Sequence, residues 1–244
     1  MDTVSIVGRV TAAQLGADKH DESSRRDGRL VRRLTSDHVA EHLRTMIFSG
    51  RLRPGERLRQ DQIAAELGVS RLPVREAVQV MERDGLVIVE PHLGAFVAPF
   101  DAQVIHDHFE IVGLVQGAAA RRLAERGDPE LLARLGGIAR RIAADEEPDH
   151  VHELTLEFYR VVNREGASSR QRSVLRALGR MLPSGFFPDI EGAIESERTG
   201  TQRIWQAIAS GDPDEVLRTC VEVQLERAQL IIAALRARGV FEPG

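Results

Sequence analysis

The stretch whose reading decides the fold is GVSRLPVREAV, Gly68–Val78. Gly68-Val69 is a turn signal, and Ser70 is a residue type that caps helix starts. Pro73 then falls in the first helical turn, where a missing N–H costs little because those donors have no intrahelical partner. The proline therefore starts a helix here. Val74, Ala77, Val78 and Met81 recur at i, i+3, i+4 and i+7, which marks an inner face and predicts a helix from Arg71 to about Asp84. Arg71 and Arg75 stand one turn apart, off that face.

Working outward, Gln60–Leu67 predicts a short helix with Ile63, Ala64 and Leu67 inside. Before it, Gly50, Pro54 and Gly55 break the chain, and an earlier helix starts at Ser36 or Asp37 and buries Val39, Leu43, Met46 and Ile47. After Gly85, the runs LVIVE and AFVA flank PHLG and predict a β-hairpin. Three short helices and a hairpin make a winged helix-turn-helix over 36–100. In that motif the start of the second helix of the pair enters the major groove, where arginine pairs with guanine O6 and N7 or clamps phosphate. Residues 30–98 hold ten arginines against nine acidic residues, so DNA binding would rest on a few placed side chains and show a moderate salt slope.

Residues 1–35 contain DKHDESSRRDGR and no sustained apolar period, and read as a disordered arm. From 101 onward there is no convincing strand. Helices are expected near 102–126, 128–144, 150–165, 169–182, 190–210 and 212–238, an all-α bundle over 101–244. The fold class is mainly α: a winged helix-turn-helix followed by a six-helix bundle.

Composition excludes several function classes. Aromatics are 4% of the 244 residues, too few for a single-strand stacking platform, and the net charge of −4 argues against coating nucleic acid. No apolar run reaches membrane-spanning length and no signal-peptide core is present, so a cytoplasmic protein with no membrane partner is the default. The single cysteine, Cys220, reads as a small buried helix residue. H-E-x-x-H, G-x-S-x-G and phosphate-cradling glycine loops are all absent, which argues against an enzyme; a metal-dependent hydrolase is the weak alternative.

The words IFSGRLRPGERL, IAAELGVSRLPVREAV and MERDGLVIVEPHLGAFVA, in this order and spacing, resemble the GntR family of bacterial transcription regulators. ARRLAER, LEFYRVV and IWQAIASGD resemble, more loosely, the subfamily with an FCD-type effector domain. The resemblance implies a homodimer, most commonly a repressor, that binds a palindromic double-stranded DNA operator and responds to a small-molecule effector in the helical domain. It assigns DNA contacts to Ser70, Arg71 and Arg75 and to the wing at His92 and Gly94. Two positions depart from the pattern: Asp61 would repel phosphate, and Leu93 replaces the common wing-tip arginine.

Many FCD-type domains hold a divalent metal with one Asp and three His. In this chain the matching positions are Thr155, Tyr159, Thr201 or Gln202, and Val223 or Gln224, so no metal or other cofactor is expected. The implied effector pocket is lined by Gln116, Thr155, Tyr159, Thr201, Gln202 and Gln224, with Val112 and Gln116 where relatives often carry arginine and glutamate. Such a lining suits an effector less charged and more apolar than a small hydroxy or sugar acid. The pairs His106/His108 and His150/His152 leave a relocated metal site open, with solvated helix histidines as the blander reading. A helical half that dimerises without sensing anything also stays open.

Overall fold

The computed structural model describes residues 22–241, with side chains from 35 onward. Helix α1 spans Glu22–Phe48 and so begins well before Ser36, which lies buried within it and not at its start. Residues 22–35 are thus helical where a disordered arm was expected; the rest of that arm, 1–21, lies outside the described residues. The segment ESSRRDGRLVRRL is polar but contains no proline and is rich in good helix formers. A helix anchored downstream by burial of Val39, Leu43 and Ile47 extends back through it at one hydrogen bond per residue.

The rest of the head follows the expected order. Strand β1 (Arg57–Leu58) precedes α2 (Gln60–Leu67) and α3 (Arg71–Arg83), and β2 (Val87–Glu90) and β3 (Gly94–Val97) form the wing. The sheet order is β1-β3-β2, all antiparallel, with Arg57 opposite Phe96 and Val87 opposite Val97. The hairpin was legible in the sequence. The third strand was not, because two residues behind Pro54-Gly55 are too few to show alternation. Val74, Ala77, Val78 and Met81 of α3 are all buried against α1 and α2.

Six helices follow: α4 (Ala102–Arg126), α5 (Pro129–Ala144), α6 (Pro148–Gly166), α7 (Ser169–Leu178), α8 (Ala193–Ser210) and α9 (Pro213–Ala237). Their starts are set by local chemistry. The Asp101, Asp128 and Asp212 carboxylates accept backbone N–H groups of the first turn, and Ser168 with Gln171 forms a capping box. Helix α4 lies very close to α9. A Cβ at Gly113 would sit 2.8 Å from Val221 Cα, so only glycine permits this approach. Cys220 lies in the same seam, where burial pushes its thiol up to about 12 and leaves it a structural residue.

Helix α7 ends at Leu178, a turn earlier than expected, and α8 starts at Ala193. Between them, 179–192 forms a series of turns through Pro183, Gly185 and Pro188. This segment packs into the core that the head shares with α9. Met181, Phe186 and Ile190 belong to one apolar cluster with Phe48 and Phe100 of the head and Ile231 and Leu235 of α9. Phe48 meets Phe186 edge-on at 5.3 Å, and Phe100 lies tilted against it at 5.7 Å. A second cluster, including Leu135, Ile142, Phe158, Ile204 and Val223, fills the bundle.

Candidate DNA-binding face and ligand cavity

Helix α3 presents Arg71, Leu72 and Arg75 to solvent on its leading turns, opposite its buried face. Ser70 occupies the N-cap position with extended backbone, but its hydroxyl accepts no cap hydrogen bond, contrary to the expectation of a side-chain cap. Asp61, at the start of α2, pairs with Arg71 Nε at 2.7 Å, both side chains being largely exposed (69% and 78%). An ion pair this wet is weak and can open when phosphate competes. Asp61 thus orients Arg71 across the two helices.

At the wing, the turn Glu90–Gly94 places His92 in the left-handed region (φ 66°), and Leu93 N–H donates to Glu90 O. Histidine tolerates that conformation better than a β-branched residue would. Gly94 (φ 118°) lies under the Arg57 guanidinium, whose Nε would be 3.2 Å from a Cβ there. The wing therefore has an arginine beside it after all, supplied by β1. It went unread in the sequence because β1 itself was unread.

The second site is a cavity of about 700 Å³ in the helical unit, within the usual size for a small-molecule pocket. Of the expected residues, Gln116, Thr155, Tyr159 and Gln224 line it, as does Val112. Gln224 Nε2 donates to Gln116 Oε1 at 2.7 Å, bridging α9 and α4. Thr201 and Gln202 do not line it. Thr201 is buried beneath the wall, and Gln202 is rotated about 100° further round α8. In their place α8 supplies Glu197, one turn earlier on the Thr201 face.

Glu197 is 2% exposed, and its Oε1 lies 2.8 Å from His152 Nδ1 and 3.3 Å from an Arg227 guanidinium nitrogen. Arg227 stacks over Tyr159 and Phe187, at 5.2 and 5.1 Å from their ring centres. His152 therefore faces the interior and is no solvated helix-start histidine. Glu197, Arg227, His152, Asn163 and His108 were all missed as lining residues. The available signal was helical: His152, Thr155, Tyr159 and Asn163 recur along one face of α6, and Gln224 and Arg227 along one face of α9. Burial lowers the pKa of the cavity-lining His108, outweighing a backbone hydrogen bond at Leu178 that acts the other way.

The residues at the family's metal positions do not suit a divalent ion. Thr155 and Thr201 offer neutral hydroxyls, and burial raises the Tyr159 phenol above its usual value, so none is an anionic or imidazole donor. The Thr155, Tyr159 and Thr201 oxygens are buried without a hydrogen-bond partner. Among the described residues, His106, Asp107 and Glu110 bring ligand atoms together elsewhere, on successive turns of α4, but the two acids are exposed and nothing beyond proximity points to an ion.

Much of the apolar lining comes from α7 and the 179–192 segment: Leu175, Leu178, Leu182 and Phe187. That segment also touches the head. Arg180 reaches Asp84 Oδ1, just after α3, at 3.4 Å, and Ser184 N–H donates to the Glu41 carboxylate on α1.

Residues 35–97 match the model of the "Bacterial regulatory proteins, gntR family", and 107–227 match that of the FCD domain. A helix-turn-helix regulator of Mycobacterium tuberculosis, itself uncharacterised, is 31% identical over 85% of both chains. The chain belongs to the GntR family. Its organisation is that of the FCD-bearing regulators. YdhC of Bacillus subtilis, also an uncharacterised helix-turn-helix regulator, is 33% identical over 38% of this chain and 42% of its own length. Among solved structures, a putative GntR regulator from Rhodococcus is 27% identical and superposes with a TM-score of 0.50 over 80% of this chain and 96% of its own. Escherichia coli McbR/YncC, at 19% identity, shares the fold with a TM-score of 0.53 over 82% of this chain and 97% of its own. No helix among the described residues is long and apolar enough to cross a membrane.

Proposed function

We propose that this GntR-family regulator is an effector-responsive repressor: a homodimer that binds a palindromic operator through α3 and the wing and is released when a small molecule fills the helical cavity, without a metal. The observation that carries the reading is the 179–192 segment, which walls the cavity on one side and holds Asp84 and Glu41 of the head on the other. A ligand that displaces Leu182 or Phe187 shifts Ser184 between them and Arg180 just before them, and through Glu41 and Asp84 the seat of α3. One element with contacts to both sites gives such coupling a contiguous physical route.

On the DNA side, Arg71 and Arg75 read or clamp the major groove, and exposed Leu72 offers apolar surface that fits a thymine methyl. Arg57, beside His92 and Gly94, takes the phosphate role expected of a wing arginine. For assembly, α4 exposes Val104, Ile111 and Leu114 on one face, an apolar stripe suited to a two-fold partner. Selection of binding sites from random DNA by the full chain, followed by anisotropy titration, tests the proposal. A palindromic site should emerge, with Arg75→Ala weakening binding about tenfold or more. Unchanged affinity in both Arg71→Ala and Arg75→Ala would overturn the groove assignment.

A further inference from the structure

Resting on the reading of the cavity as the effector site, we infer that it selects a neutral, ring-sized ligand that donates hydrogen bonds to Glu197, and that it rejects carboxylates. Both partners of Glu197, His152 and Arg227, lie on Oε1, while Oε2 is buried with no partner. Asn163 Oδ1 is in the same condition. These two atoms can only accept, and the Thr155 and Tyr159 hydroxyls beside them can do either. A buried acceptor left empty is costly, so a ligand offering O–H or N–H groups gains most here.

Charge points the same way. The Arg227 guanidinium that would attract an anion lies over the Tyr159 and Phe187 rings and holds Glu197 through one nitrogen, while its Nε, buried without a partner, is a donor that a neutral acceptor on the same ligand can fill. Arg160, the other cavity-lining arginine, is exposed at the rim, with its Nε donating to Leu156 O. A carboxylate entering the inner end would meet the Glu197 carboxylate in a poorly hydrated site, and like charges there repel strongly. A cation is disfavoured as well, because Glu197 is already balanced by Arg227. What remains is a neutral polar end, with an apolar body against Phe109, Val112, Leu156, Leu178 and Phe187.

Three probes sharing a phenyl ring separate these outcomes: benzyl alcohol, benzamide and benzoate, each titrated at pH 7 against the full-length protein by saturation-transfer NMR. Benzyl alcohol and benzamide should bind and compete with each other, with benzoate about tenfold weaker or worse. Val112→Trp, which fills the cavity, should abolish both signals. Glu197→Gln removes the charge and keeps the shape, and should bring benzoate to within about threefold of benzamide. Benzoate binding the wild type as tightly as benzamide would overturn the inference, whether or not the Gln variant folds. Binding of none of the three would overturn the inference too, whereas signals that survive Val112→Trp would overturn the effector-site reading itself.

Discussion

Asp84 is the residue through which the head is tied both to its own first helix and to the cavity wall, and replacing it with alanine has a calculable cost. Its carboxylate is 4% exposed, accepts from Arg44 at 2.7 Å on one oxygen and faces Arg180 at 3.4 Å on the other. The Arg44 side chain is 6% exposed, and its Nε already lacks a partner. Asp84→Ala leaves that guanidinium buried with only Glu41, at 3.6 Å, for company. Removing one member of a buried pair costs about 3–5 kcal/mol, and the remaining Glu41 contact places this case near the lower end, about 3 kcal/mol. The assay is urea unfolding of the full chain followed by circular dichroism. Arg180→Ala serves as a control expected to cost no more than about 1 kcal/mol, because Arg180 is 54% exposed. Arg44→Met combined with Asp84→Ala should regain most of the loss, since no charge is then stranded. If Asp84→Ala stays within about 1 kcal/mol of wild type, or the double variant is no better than the single one, the pair is not the buried anchor described here.

Two further expectations concern the helical unit. A Cβ at Gly166 would lie 2.2 Å from the Ala119 carbonyl oxygen, backbone against backbone, so Gly166→Ala must push α6 off α4 and should cost about 3 kcal/mol in the same urea experiment; a loss under about 0.5 kcal/mol would contradict that packing. Burial holds the His108 pKa below its ordinary 6.5, so the unfolded chain takes up the proton first as pH falls. Stability should therefore be fully present above 6.5 and decline as pH drops from there toward the folded value. His108→Gln should flatten the pH dependence of Tm in that window, and an unchanged slope would remove His108 as its source.

The head was almost wholly legible because its signals are local. Gly68, Pro73 and the Val74–Met81 stripe each act within one or two turns, and they place α2 and α3 to within a residue. Where the outcome depended on distant partners, the sequence was silent. Strand β1 exists only because β3 lies beside it, and Asp61 changes from a repulsive charge to an arginine partner only once α2 and α3 are docked. The cavity was half legible. Thr155, Tyr159, Gln116 and Gln224 came from the resemblance, but the family's third ligand position led to Thr201 and past Glu197. A glutamate at 2% exposure is rare enough that composition argues against it, and only its meeting with His152 and Arg227 from two other helices makes it tenable.

The apolar cluster that runs from Val39 through Phe48, Phe100 and Phe186 to Leu235 has a consequence for how this chain could be cut or recombined. The loop at Pro99–Asp101 looks like a place to separate two modules, yet a cut there would leave Phe48 and Phe100 facing water with nothing from the bundle to cover them. The head borrows part of its interior from its neighbour. Grafted onto another regulator's helical half, it would need that half to supply matching side chains at the seam, so exchanging specificity between relatives means carrying the seam along with the groove-reading helix.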